Sequence, residues 1–110
     1  MRSLTFLILG CFSLAACGAD TDDTLRLRVE SGASAELLAK CISQDFDGVF
    51  PRFFPAGEEG AAKSFETYNG IRAEVVDEGS TRVIFVRSPH PLAERMKSYV
   101  HRCVRVAETS

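Results

Sequence analysis

Residues 64–87, SFETYNGIRAEVVDEGSTRVIFVR, decide the fold. Asn69-Gly70 is a preferred pair for a type I′ hairpin turn, in which both central residues take φ above zero. Such a turn joins a strand near 64–68 to a second over 71–77. A further turn around Glu78-Gly79 leads into a third strand over 81–87. With Glu78 and Gly79 at the tip, Ile71 faces Val86 and Ala73 faces Ile84 on one side, while Arg72 faces Phe85 and Glu74 faces Val83 on the other. The first face is apolar and is expected to receive helices. The second is mixed, with Phe65, Val83 and Phe85 among Arg72 and Glu74.

Working outward, Ser88-Pro89-His90-Pro91 stops the third strand and starts a helix, since proline suits a first turn. Leu92, Met96, Tyr99, Val100 and Cys103 then recur at the spacing of one helix face. Lys97, Arg102 and Arg105 fall toward its C-terminal half, where the helix dipole favours cations. Upstream, residues 24–30 alternate strictly: Leu25, Leu27 and Val29 on one side, Arg26, Arg28 and Glu30 on the other, the pattern of a half-buried strand. After Ser31-Gly32, Ser31 or Ser34 can cap a helix running to about Gln44, with Leu37, Leu38, Cys41 and Ile42 as its apolar stripe. Residues 45–63 read as a long irregular connection broken by Pro51, Pro55, Gly57 and Gly60. The expected fold is α+β, in the order β-α-β-β-β-α: an antiparallel sheet of about four strands with two helices on one face.

The first residues carry a different signal. Arg2 precedes an apolar run that begins at Leu4 and continues through Leu14-Ala15-Ala16-Cys17. A charged start, a short greasy core and small residues before a break form a secretory signal. The apolar stretch spans about 15 positions, short of the roughly 20 a helix needs to cross a bilayer. The tetrad resembles the lipobox of bacterial prolipoproteins. The resemblance covers residues 1–17 alone and implies a diacylglyceryl thioether on Cys17 with cleavage just before it. The rival tetrad Ile8-Leu9-Gly10-Cys11 would leave too short an apolar core. On this reading 1–16 are a signal peptide, 17–23 a lipidated N-terminus and acidic tether, and 24–107 one domain. Two or three acyl chains, at about 0.8 kcal/mol per buried methylene, make such an anchor permanent. The resemblance further implies a chain facing the periplasm, and Gly18 in place of aspartate at the second mature position points to the outer rather than the inner membrane.

Cys11 then leaves with the signal and Cys17 is acylated, so Cys41 and Cys103 remain. An even remainder in an oxidising compartment reads as a disulfide, with two buried free thiols as the alternative. Each sits in the apolar stripe of a different helix. Closing a loop of about 60 residues stabilises the fold by roughly 4 kcal/mol on the chain-entropy view.

Candidate chemistry is sparse. His101 and Cys103, two apart on a helix, point away from each other and do not share a metal ion, and His90 lies a helix length away. Asp45-x-Asp47-Gly48 lacks the oxygen ligands of a calcium loop. Ser88 and His90 are neighbours, but no Gly-x-Ser-x-Gly elbow exists. No catalytic residue, metal site or cofactor is assigned. A net charge of −2 gives no electrostatic case for nucleic acid. Arg26, Arg28, Arg72 and Arg82 form a basic patch for anionic envelope polymers in one reading, and a solvated face balanced by Glu30, Glu66 and Glu74 in the other. Phe46, Phe50, Phe53 and Phe54 stand out because aromatic side chains in a connection either fold onto the sheet or anchor a partner. The expected function is a non-enzymatic envelope lipoprotein, a membrane-anchored module that binds another envelope protein or polymer. The alternatives are a module that captures a small ligand or inhibits a hydrolase and, behind that, a small hydrolase.

Overall fold

The computed structural model describes residues 24–44 and 52–110. Residues 1–23, read above as signal and tether and including Cys17, and Asp45, Phe46, Asp47, Gly48 and Phe50 lie outside the described residues. The elements are β1 (Thr24–Ser31), α1 (Ala35–Ile42), β2 (Phe54–Glu59), β3 (Ala62–Glu66), β4 (Arg72–Asp77), β5 (Arg82–Ser88) and α2 (Glu94–Glu108). The strands form one antiparallel sheet in the order β1-β5-β4-β3-β2. Both helices lie against one face of it, so the fold is α+β, with five strands rather than about four.

The additional strand is β2, in the segment read as irregular. Its Pro55 and Gly57 suppress the strand signal, but an edge strand tolerates both because one side of its backbone needs no partner. Gly60, at φ 60°, turns it into β3, which begins at Ala62, two residues earlier than expected.

Two registers differ from expectation, with unequal consequences. Between β3 and β4, Thr67 N–H donates to Ile71 O at 2.9 Å and Gly70 N–H to Thr67 O at 3.3 Å. The loop is therefore three residues, Tyr68-Asn69-Gly70, with Gly70 at φ 93°, not a two-residue Asn69-Gly70 turn. Thr67 Oγ1 accepts the Ile71 N–H at 3.0 Å and locks this geometry. A one-residue change exchanges the two faces. Phe65 thus pairs with Ala73 and is buried in the core instead of standing on the mixed face. Between β4 and β5 the connection is four residues, closed by Glu78 N–H to Thr81 O at 2.8 Å. This shifts the pairing by two, so Ala73 faces Val86 and Arg72 faces Arg87, while each side chain keeps its face.

β1 is also altered. A bulge at Arg26 breaks its alternation, so Leu25 pairs with Arg87 and is 44% exposed, whereas Leu27 and Val29 stay over the core opposite Val86 and Ile84. Arg82 ties the loops together. It donates to Ala33 O (2.8 Å), Gly32 O (3.1 Å) and Gly79 O (3.0 Å), and pairs with Asp77 at 3.2 Å. Gly79 N–H donates to Asp77 Oδ1 at 2.9 Å, and this bond followed by Arg82 holds the Asp77 carboxyl below its ordinary 3.8.

Ser34 caps α1, its Oγ accepting the Leu37 N–H at 3.1 Å, an arrangement worth about 1 kcal/mol. Leu38, Cys41 and Ile42 face inward, but Leu37 leaves the expected stripe and is 37% exposed. From α2, Met96, Tyr99, Val100, Cys103, Val104 and Ala107 complete the core. Cys41 and Cys103 form a disulfide with Cα atoms 5.5 Å apart. Beside it the buried Tyr99 hydroxyl lies 2.9, 2.8 and 2.8 Å from the carbonyl oxygens of Cys41, Ile42 and Gln44, donating to the end of α1. At the other end of α2, Glu108 accepts from Ser31 Oγ at 2.9 Å and fastens the helix to β1. No described helix is long and apolar enough to cross a membrane.

Candidate functional site

The adjacent pair Phe53-Phe54 leads into β2, where successive side chains point to opposite faces. Phe53 is accordingly 1% exposed in the core and Phe54 51% exposed on the outside. The two described phenylalanines of the four thus divide between the two readings, core cap and exposed anchor. Phe53 caps the core, Phe54 remains outside, and Phe46 and Phe50 lie beyond the described residues.

Phe54 is held in position. Arg52 donates to Ser43 O at 3.2 Å through Nη2, with Nε at 3.4 Å, and its guanidinium carbon lies 5.1 Å from the Phe54 ring centroid. The end of α1 thereby fixes the cation that covers one side of the ring. Across the strand Phe54 pairs with Glu66, which forms an ion pair with Arg72 at 3.5 Å. Beyond Glu66 the three-residue loop carries Tyr68, 71% exposed. Phe54, Pro55, Ala56, Glu66, Thr67 and Tyr68 surround an open concavity of about 420 Å³. Two aromatic rings and a pyrrolidine ring with a carboxylate rim form a surface suited to apolar anchoring by a partner.

Tyr68, Pro55 and Arg52 are not among the candidate site residues read from the sequence. Tyr68 had a legible signal, because a bulky ring at a hairpin tip has no sheet face to cover it. Arg52 had none; its role depends on where α1 ends.

A second concavity of about 430 Å³ lies between α1 and the β2–β3 hairpin, with Ala39, Lys40 and Glu36 on one wall and Pro55, Lys63 and Phe65 on the other. It is open, and its Lys63 pairs with Glu58 at 3.3 Å.

The helix-free sheet face carries its charges in rows. One row runs Leu25, Arg87, Arg72, Glu66, Phe54 across all five strands, and the next contains Arg28, Phe85 and Glu74. Arg28 and Arg87 flank the Phe85 ring at 5.9 and 5.5 Å. Each of three arginines has a carboxylate nearby: Arg28–Glu30 at 2.9 Å, Arg72–Glu66 at 3.5 Å and Arg87–Glu74 at 3.8 Å. Arg26 donates to Ser88 O at 3.1 Å and Arg82 is occupied in the loops. The four arginines do not form a basic patch; the face is balanced.

The remaining candidates are placed as follows. Ser88 Oγ and His90 Nδ1 are 3.3 Å apart, but Ser88 has no exposed surface and no carboxylate among the described residues hydrogen-bonds His90. Cys103 is committed to the disulfide, so it offers no thiolate beside His101. Among the described residues no three His, Cys, Asp or Glu side chains converge. No family model, no curated protein and no solved structure matches this chain.

Proposed function

We propose that the chain is a non-enzymatic binding module that engages a partner through the Phe54–Tyr68 patch, held at a membrane surface by lipid on Cys17. The observation that carries the binding half is the half-exposed Phe54 ring, fixed by Arg52 beside the exposed Tyr68 and Pro55. A pre-positioned ring loses little conformational freedom on binding, so more of its burial energy appears as affinity. The anchoring half rests on Leu14-Ala15-Ala16-Cys17 and its resemblance to a lipobox. On that reading the partner belongs to the bacterial envelope, on the periplasmic side.

The test compares crosslinked partners of the native protein with those of a Phe54→Ala/Tyr68→Ala variant in the same membranes. Selective loss of a partner supports the patch; identical partner sets refute it. Mass spectrometry of the mature N-terminus addresses anchoring separately, an unmodified Cys17 being the adverse result. A second reading, capture of a small ligand, draws on the 430 Å³ groove between α1 and the hairpin.

A further inference from the structure

Sheet edges are where a folded chain still offers N–H and C=O groups for pairing. The edges here are β1 and β2, and they differ. β2 carries Pro55, which has no N–H, and a bulge between Pro55 and Gly57, two devices that blunt an edge. β1 is eight residues without proline or glycine, and its irregularity is confined to Arg26, leaving Leu27 to Ser31 in regular pairing. No described strand lies outside it. The core is also least covered there. Leu27 and Val29 face the helices yet are only half-buried, whereas their cross-strand neighbours Val86 and Ile84 have no exposed surface.

The geometry points to antiparallel pairing of β1 with β1 of a second copy of this chain, joining two five-stranded sheets into one. Charge selects the register. Arg28 and Glu30 project from the helix-free face and lie 2.9 Å apart within one chain. Pairing centred on Val29 sets Arg28 of each copy opposite Glu30 of the other, giving four alternating charges. It also brings the two Val29 side chains together over the core. Pairing centred on Arg28 would oppose two guanidinium groups, and pairing centred on Leu27 would set Arg26 against Arg28. Opposed unlike charges and β-branched pairs stabilise a ladder, and opposed like charges destabilise it. The interface is narrow, so association is weak and reversible. The aromatic patch lies by β2, at the far edge, and stays uncovered in both copies.

Sedimentation equilibrium of the full chain in a density-matched detergent tests this over about a hundredfold range of concentration, because dimer population follows mass action. A monomer–dimer equilibrium is expected. Arg28→Glu and Glu30→Arg should each raise the dissociation constant about tenfold, and the double swap should bring it back. Thermal melts of the same variants, diluted to the monomer, verify that each single reversal leaves the fold intact. A chain that stays monomeric throughout, a dimer indifferent to both reversals, or a double swap that fails to recover association would each overturn the inference.

Discussion

Replacing Tyr99 by phenylalanine removes one oxygen and leaves the ring in place. In the native chain that hydroxyl lies within 2.9 Å of three carbonyl oxygens at the end of α1. It has one proton, so its contribution is one strong bond shared among three acceptors rather than three bonds. Cys41 O also accepts from the Gln44 N–H at 3.1 Å and keeps a donor when the hydroxyl is gone. Among the described residues, Ile42 O loses the hydroxyl that donates to it, beside a ring that is almost wholly buried. An acceptor stranded in this way costs about 1–3 kcal/mol, and because the ring stays in place the small void left by one oxygen adds little. For a domain of this size about 2 kcal/mol lowers the melting temperature by roughly 8–16 °C. Urea unfolding of the oxidised protein, followed by circular dichroism, measures the cost directly. The variant should shift its midpoint with an unchanged slope. A midpoint within error of the native one would refute the argument that Tyr99 holds the end of α1 through its hydroxyl.

Other expectations can be read from single side chains. Exchanging both Cys41 and Cys103 for alanine should lower unfolding free energy by about 4 kcal/mol in denaturant melts, given a sequence separation of 62. Phe53→Ala should cost about 3–5 kcal/mol by opening the core, whereas its neighbour Phe54→Ala should stay within about 0.5 kcal/mol in the same melts. Asp77 has a lowered pKa, so its stabilising contribution is complete above 3.8 and fades as pH falls below it. Asp77→Asn should therefore flatten the acid limb of a stability–pH curve measured by thermal melts, with little change in slope between neutral pH and about pH 5.

The legible parts of the fold were those whose apolar spacing follows one element's own period. The stripe Met96, Tyr99, Val100, Cys103 was written in neighbouring residues, and the structure keeps it. The disulfide followed because each cysteine lay in a helix stripe directed at one sheet face. The departures came where a single backbone detail decides the outcome. The Thr67 hydroxyl adds one residue to the Asn69-Gly70 turn and carries Phe65 into the core. The bulge at Arg26 turns Leu25 outward, and no pattern in 24–30 announces it. For the candidate site, the phenylalanine cluster drew attention to the correct stretch but could not separate Phe53 from Phe54. That separation depends on where β2 starts, and β2 is held by pairing to β3 rather than by its own composition.

The placement of the helices gives the sheet two grades of permanence. α1 and α2 clamp β1, β5 and β4, and the disulfide binds the helices to each other, whereas an open groove separates α1 from the β2–β3 hairpin. Every residue of β2 is exposed. Amide protons of β2 should therefore trade with deuterium through brief detachment of that strand alone, while those of β5 wait for the whole domain to come apart. A partner that closes on Phe54 and Tyr68 would slow the first class and leave the second untouched. Any binding surface on that strand thus reports its occupancy through the breathing of a small part of the chain.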